Sequence, residues 1–259
     1  MKAGQRLWTR EELILAINQY CKMPFGKMHA SNPDIILLAN LIGRTPASVA
    51  LKLGNFASFD PTLKARGIKG ASNASKLDRI IWDEFYTDWE GRLLESEKLL
   101  AEAKHTTVEK LNDINIDDLP KEGIIKERLV KTRVNQCIFR KIVLATYNNK
   151  CCITGIDRPE LLIASHISSW SKDEKNRMNP MNGLALNALH DKAFETGLIT
   201  INENYRVVVS QKLKKAKDKT VDNFFLPYEG KEIALPDKFL PSKELLRHHA
   251  MLFNFNSAN

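Results

Sequence analysis

The chain is short of cysteine and of long apolar segments. Its 259 residues include 4 cysteines, and no two of them form a Cys-x-x-Cys pair. Because small zinc domains are built from such pairs, the sequence predicts no structural zinc. Membrane-spanning helices need runs of about 18 apolar residues, and the chain has none. The first ten residues also lack the apolar stretch of a signal peptide, so we expect a cytoplasmic protein with no membrane partner.

Charge is distributed unevenly along the chain. Residues 1–76 contain 11 Lys/Arg and 4 Asp/Glu, residues 77–130 contain 8 and 14, and residues 131–259 contain 20 and 13. Two basic segments therefore flank an acidic middle. Basic segments attract phosphate polyanions by counterion release. A basic surface kept for solubility has the same composition, so charge alone leaves both interpretations open.

The N-terminal part of the sequence predicts three short helices. The first covers residues 9–20, with Thr9 as N-cap, and the second begins at Asn32-Pro33. The third begins at Thr45-Pro46, where threonine caps and proline takes the first helical position. A tight turn separates the last two helices, which is typical of a helix-turn-helix. These segments also resemble Myb/SANT-like and homeodomain-like modules, a resemblance of low specificity.

The predicted third helix is the candidate for reading DNA bases. Its inward side is predicted from the apolar residues Val49, Leu51 and Leu53. The outer side would then present Ser48, Lys52 and Asn55 to base edges in the major groove. The alternative is that this N-terminal part only braces the rest of the chain or forms a dimer contact.

Residues 58–75 are rich in glycine and serine and are basic, which predicts a loop. Arg66 and Lys69 in this segment are expected to contact backbone phosphates and to set register rather than sequence. A long helix is predicted from about residue 75 to residue 104, and residues 105–130 lack a strong period. We therefore predict a helical DNA-recognition domain over 1–104 and a linker over 105–130.

The remaining residues, 131–259, change character and predict an α+β domain. A helix is expected over 132–149, followed by short strands at 151–154 and 161–166. A further short strand, a helix over 187–196, a hairpin near 198–210 and a last helix from 241 to about 253 complete the pattern. The whole chain is thus predicted to be a helix-turn-helix-like domain joined by a long helix to this second domain.

Three polar residues stand in this second domain in a distinctive order. His166 ends a predicted strand, Asn182 follows in a loop after 16 residues, and His190 lies in a predicted helix, 24 residues after His166. With the flanking segments YNNKCCITG, LLIASHISSW and NGLALNALHDKAFETGLITI, this order resembles the HNH (ββα-metal) endonuclease family. The resemblance covers roughly residues 131–253 and is strongest to bacterial restriction-type members.

The resemblance implies a metal-dependent endonuclease that cuts double-stranded DNA in a restriction or defence system. Phosphodiester hydrolysis needs a base that accepts a proton from water near neutral pH, and His166 is the candidate. Asn182 is expected to orient the strand that carries this base. His190 is the expected ligand of a divalent cation, Mg²⁺ first, with Mn²⁺ or another ion as alternatives.

Ser165 departs from the Asp or His that precedes the base in many members of the family. A neutral hydroxyl is a weak ligand, so Ser165 is predicted as a second metal ligand only with help from waters, phosphate oxygens, Asn187 or Asp191. Arg177, in the loop before Asn182, is a candidate phosphate clamp.

Other functions stay open at the level of sequence. One alternative is a DNA-binding or regulatory protein on a weakened HNH scaffold, and another is a nuclease for RNA or single strands. A double-strand cut from one site per chain would favour a homodimer.

Overall fold

Helices dominate the structure, a computed structural model that describes residues 6–69, 74–115, 123–216 and 218–255. Two small antiparallel sheets accompany them, so the protein is of the α+β class. The chain divides into two compact units, one ending at Ile142 and the other beginning at Val143. No single helix among the described residues is long and apolar enough to cross a membrane, although a pair bent by 105°, Pro33–Leu41 with Pro46–Phe59, together reaches that length and apolar content.

The first unit is built from helices with well-formed caps. In chain order they are α1 (Arg10–Lys22), α2 (Pro33–Leu41), α3 (Pro46–Phe59), α4 (Pro61–Ala65), α5 (Lys76–Thr87), α6 (Trp89–Ala103), α7 (Val108–Leu111) and α8 (Ile124–Thr146), the last of which continues into the second unit. Thr9 and Glu12 form a capping box at α1, and Thr45 caps α3 with Pro46 at its first position. The three predicted N-terminal helices are therefore present with their predicted starts.

The orientation of α3 differs from the prediction. Lys52 and Asn55 are buried, at 8% and 3% exposure, whereas Leu51 is 59% exposed. A helix turns about 100° per residue, so Leu51 lies roughly 200° from Val49 while Lys52 lies only about 60° away. Lys52 thus shares the inward side with Val49, and the expectation that Lys52 and Asn55 face DNA bases is wrong. Both side chains instead bind the carboxylate of Asp78.

Other boundaries in the first unit also depart from prediction. The predicted basic loop contains α4, and the predicted long helix is two helices separated at Asp88, whose carboxylate caps α6 at Gly91. Helix α8 begins at Ile124, inside the predicted linker. Residues 116–122 of that linker lie outside the described part of the chain.

The second unit pairs two strands and packs a helix beside them. Its elements are β1 (Leu162–His166), β2 (Gly183–Asn187), α9 (Ala188–Glu195), β3 (Ile199–Ile201), β4 (Val207–Val209), α10 (Gln211–Lys214), α11 (Lys219–Phe224) and α12 (Lys243–Leu252). β1 and β2 are antiparallel, with His166 opposite Gly183. β3 and β4 form the predicted hairpin. The predicted strand at 151–154 is absent; this segment is a turn in which the backbone N–H of Cys152 donates to the Ala185 carbonyl (2.7 Å).

Helix α12 closes against the end of α9. Gly197, just beyond α9, has φ +68°, and a Cβ there would lie 2.1 Å from Cδ1 of Phe253. The His249 ring stacks on Phe194 at 3.8 Å between centroids and 6° between planes. The last predicted helix therefore completes the core next to the ββα segment.

Candidate active site

The end of β1 and one face of α9 line a cleft of about 470 Å³ in the second unit. Polar and aromatic side chains dominate its wall: Ser165, His166, Trp170, Lys172, Asp191 and Glu195. A proton-accepting group, two carboxylates and one exposed ammonium thus meet around a space large enough for a phosphodiester group.

His166 is held with a defined tautomer. Its Nε2 lies 2.9 Å from the carbonyl oxygen of Arg177, and because a carbonyl only accepts, Nε2 must carry the proton. Nδ1 is then the basic nitrogen of the neutral ring. Burial lowers the pKa of His166, and the hydrogen bond to the Arg177 carbonyl opposes this shift. The Trp170 ring meets the imidazole edge-on at 5.4 Å. The ring is therefore neutral and oriented near pH 7.

Asn182 is fully buried and ties together the loop that follows β1. Its Oδ1 accepts from the backbone N–H of Ser168 (2.7 Å), and its Nδ2 donates to the carbonyls of Ser168 and Asn176 (both 3.1 Å). Its own carbonyl accepts from the N–H of Ile167 (2.9 Å). These bonds fix the backbone immediately after His166.

Helix α9 supplies both carboxylates. Asn187 caps it through the N–H of His190, and Asp191 and Glu195, four residues apart, fall on one face. Burial raises the pKa of Asp191; the Ser165 hydroxyl, which donates to this carboxylate, acts in the opposite direction, and neighbouring Glu195 adds to the rise. The sequence analysis does not name Glu195 as a site residue. Its spacing of four residues from Asp191 on a predicted helix is the signal that could have identified it.

His190 lies elsewhere. Its side chain is buried, its Nδ1 lies 3.1 Å from Oδ1 of Asn187, and its ring packs against Phe225 and Tyr228 at 5.3 and 5.4 Å. Burial lowers its pKa. His190 is not among the described residues that line the cleft. The cleft receives its neighbour Asp191, because consecutive helical residues point about 100° apart, and the predicted metal and catalytic roles of His190 stay predictions.

The cleft offers oxygen donors to a divalent cation. No group of three or more His, Cys, Asp or Glu suited to a metal occurs in the described residues. Two carboxylates with a nearby hydroxyl are hard oxygen donors, which suit Mg²⁺ or Mn²⁺ when waters and phosphate oxygens fill the remaining positions. The cleft thus fits a cation that binds together with its substrate.

The predicted DNA contacts fall into two groups. Arg177 lies in the second unit, with its guanidinium 5.7 Å from the Trp170 ring and 3.7 Å from Glu174. Arg66 and Lys69 are exposed in the first unit, and Ser48 is half-buried there. The predicted roles of these four residues stay predictions.

Comparison with known families finds a match for the segment that contributes most of the cleft lining. A family model described as HNH endonuclease matches residues 151–202, the stretch that contains β1, β2, α9 and β3. Searches of curated proteins and of solved structures found no match. The matched stretch holds His166, Asn182, Asp191 and Glu195 in the arrangement described above. Residues 151–202 therefore form a domain of the HNH endonuclease family.

Proposed function

We propose that the protein is a metal-dependent endonuclease that hydrolyses phosphodiester bonds of double-stranded DNA. The observation that carries this proposal is that His166 lines one cleft with Asp191 and Glu195. A neutral histidine and a pair of carboxylates are the groups that water activation and cation binding require. A role in restriction or defence is proposed on the resemblance to restriction-type members alone.

His166 acts as the base in this mechanism. Nδ1 takes a proton from a water molecule as the water oxygen attacks phosphorus and the bond to the 3′ oxygen breaks. The Nε2 hydrogen bond to Arg177 stabilises the imidazolium that results, and Asn182 keeps the following loop in place. Lys172, exposed at the same cleft, attracts the phosphate.

Asp191 and Glu195 are proposed to hold the divalent cation, in place of His190. A Mg²⁺ or Mn²⁺ ion held by these two carboxylates would neutralise charge on the phosphate and on the leaving oxygen. Ser165 is assigned a positioning role, because its hydroxyl binds the Asp191 carboxylate.

The test is plasmid cleavage by the purified full-length protein. We expect cutting with Mg²⁺ or Mn²⁺ and none with EDTA, and we expect His166→Ala to slow cutting ~10²-fold or more, as for the loss of a general base. His248→Ala, a change at an exposed histidine, is the control. Cutting by His166→Ala at the normal rate would exclude His166 as the base. DNA binding without any metal-stimulated cutting would favour a weakened, regulatory scaffold.

A further inference from the structure

The first unit contains a second cleft, larger than the one around His166. Its volume is about 860 Å³, and it lies between the segment preceding α1 and the first turns of α3 and α5. Four cationic side chains line it: Arg6, Arg44, Lys52 and Lys76. Three hydroxyl residues also line it, Thr45, Ser48 and Ser75, and the Ser75 hydroxyl donates to Asp78 (2.8 Å). No carboxylate is among the described residues of this lining.

Glu12 and Asp78 pair with cations of the cleft but do not line the cleft themselves. Glu12 binds Arg6 (2.5 Å) and Arg44 (2.7 Å) with its own side chain only 10% exposed. Asp78, which is fully buried, binds Lys52 at 2.9 Å. Two negative charges thus hold three cations in place without entering the cleft, and the cleft retains an excess of positive charge.

Trp8 packs against two of the cations that line the cleft. The Arg44 guanidinium lies 4.6 Å and the Lys52 ammonium 5.1 Å from the centre of the indole ring, within cation–π range. Arg44 also donates to the carbonyls of Arg6 (2.9 Å) and Leu7 (2.6 Å). Arg44, Lys52 and Trp8 are therefore committed to one another and to the backbone.

Two of the cations that line the cleft are exposed, although Arg6 binds Glu12 and also donates to the Ile42 carbonyl (2.8 Å). The Arg6 side chain is 51% exposed, and Lys76, the first residue of α5, is exposed and takes no part in the pairs with Glu12 or Asp78. With the hydroxyls of Thr45 and Ser48 they offer donors and positive charge, a combination that binds phosphate oxygens.

We propose that this cleft binds backbone phosphates of the DNA that the nuclease domain cuts. The site lies outside residues 151–202, so the family match does not assign it. It rests on the proposed function for the identity of the polymer. Lys52 and Asn55 serve here as buried supports of the wall, and Arg6 and Lys76 make the contacts.

The test measures DNA binding with cutting prevented. Full-length protein carrying His166→Ala is titrated into a fluorescein-labelled duplex in EDTA, at several salt concentrations, with fluorescence anisotropy as the readout. Lys76→Ala should weaken binding several-fold and reduce the slope of log K against log[salt] by about one unit, the value for one lost phosphate contact. Arg6→Ala should act alike, and Lys76→Arg should restore binding.

Lys104→Ala is the matched control, because Lys104 is an exposed lysine of the same unit outside the cleft. Thermal unfolding verifies that each variant is folded. Unchanged affinity and slope in Lys76→Ala and Arg6→Ala would overturn the proposal. So would binding of inorganic phosphate, followed by tryptophan fluorescence, that depends on Lys76 while duplex binding does not.

The cleft and the proposed function fail separately. With His166 restored, metal-dependent plasmid cutting by the otherwise unmodified protein tests the nuclease, and the Lys76→Ala titration tests the cleft. Lys76-dependent binding in a protein that never cuts would retain the cleft and reject the nuclease. Normal cutting together with DNA binding that does not depend on Lys76 would support the nuclease and reject the phosphate-binding cleft.

Discussion

Lys52 illustrates how a charged side chain becomes part of a core. Its ammonium lies 2.9 Å from both oxygens of Asp78, and Asn55 donates to the same carboxylate. Burial alone would raise the pKa of Asp78, but the hydrogen bonds from Lys52 and Ser75 lower it. Asp78 is therefore ionised and depends on Lys52 for its charge balance.

Lys52→Met should consequently destabilise the first unit. Removing one partner of a buried ion pair leaves an uncompensated charge, which typically costs about 3–5 kcal/mol. The free energy of unfolding in urea, followed by tryptophan fluorescence, measures the loss. Ser48→Ala, one turn earlier and half-buried, should stay within about 0.5 kcal/mol of the unmodified protein. Equal stability of both variants would show that the pair contributes nothing.

Asp191 and Glu195 give a second residue-scale prediction. If they hold the cation, Asp191→Asn and Glu195→Gln should raise the Mg²⁺ concentration for half-maximal cutting ~10-fold or more, because each removes a charged donor. A plasmid-nicking titration with Mg²⁺ measures this value. Asp157→Asn, an exposed acidic residue of the same unit, should leave it unchanged.

His190 tests the same assignment from the other side. His190→Gln should lower stability, because the ring is packed against Phe225 and Tyr228, while the Mg²⁺ requirement of the folded fraction stays the same. If His190→Gln changed the Mg²⁺ requirement and the Asp191 and Glu195 variants did not, the result would indicate that His190 binds the metal.

Sequence predicted where some residues of this site lie, and their roles stay predictions. The order and spacing of His166 and Asn182 located a histidine at the end of β1 and an asparagine that binds the loop after it. The choice between His190 and its neighbour Asp191 depended on which helical face turns to β1. A resemblance gives residue types in order, but that face is set by packing against Phe225 and Tyr228, which lie more than 30 residues further along.

Among the secondary-structure elements, helix α12 is joined to α9 and β3 by one imidazole. Nε2 of His249 donates to the carbonyl of Phe194 (3.2 Å), so Nδ1 is the acceptor and takes the hydroxyl proton of Thr200 (2.8 Å). Burial lowers the pKa of His249 to about 4, with the Phe194 carbonyl opposing the shift and His248 adding to it. The neutral ring is therefore part of the folded state.

This linkage predicts a pH-dependent stability. The ordinary pKa of a histidine is 6.5, so between about pH 6.5 and 4 the unfolded chain binds a proton at His249 that the folded chain does not. The free energy of unfolding should fall as pH falls through this window, by up to roughly 3 kcal/mol from this group. Urea unfolding at several pH values measures it.

His249→Gln provides the comparison for that measurement. Glutamine retains hydrogen-bonding capacity without titrating, so its pH profile should be flatter in the same window. His248→Gln changes an exposed histidine and should keep the full dependence. Parallel profiles for His249→Gln and the unmodified protein would contradict the assignment.

The boundaries of helices and strands likewise depend partly on neighbouring residues and partly on residues far away in the sequence. The starts of α1 and α3 were predictable because Thr9 and Thr45 cap them locally. The break at Asp88 was not, because the helical period of apolar residues continues from α5 into α6. The absent strand at 151–154 has the composition of a strand, but its backbone bonds to Ile156 and Ala185 instead of forming a ladder.

At the scale of the whole molecule, α8 belongs to both compact units. It begins at Ile124 in the first, and its last turn, from the buried Val143 to Thr146, lies in the second. The predicted boundaries at residues 104 and 130 stay predictions. A fragment intended to preserve the second unit should therefore start no later than Ile124, so that this turn keeps its helix.

That fragment separates recognition from hydrolysis. Residues 124–259 retain His166, Asp191 and Glu195 but lack the basic first 76 residues. We expect metal-dependent cutting with weaker DNA binding and a shallower salt dependence than in the full chain, because fewer phosphates are contacted. KM for plasmid at several salt concentrations measures both. Full affinity and unchanged site preference in the fragment would assign recognition to the second unit.

Gly197 and Phe253 carry an evolutionary consequence. The ring of Phe253 fills the space of the Cβ that Gly197 lacks, so glycine at 197 is a condition for the ring at 253, though 56 positions separate them in the sequence. A lineage cannot acquire a side chain at 197 while it keeps an aromatic ring at 253. In descendants of this chain, the ring at 253 should therefore be lost before a side chain appears at 197.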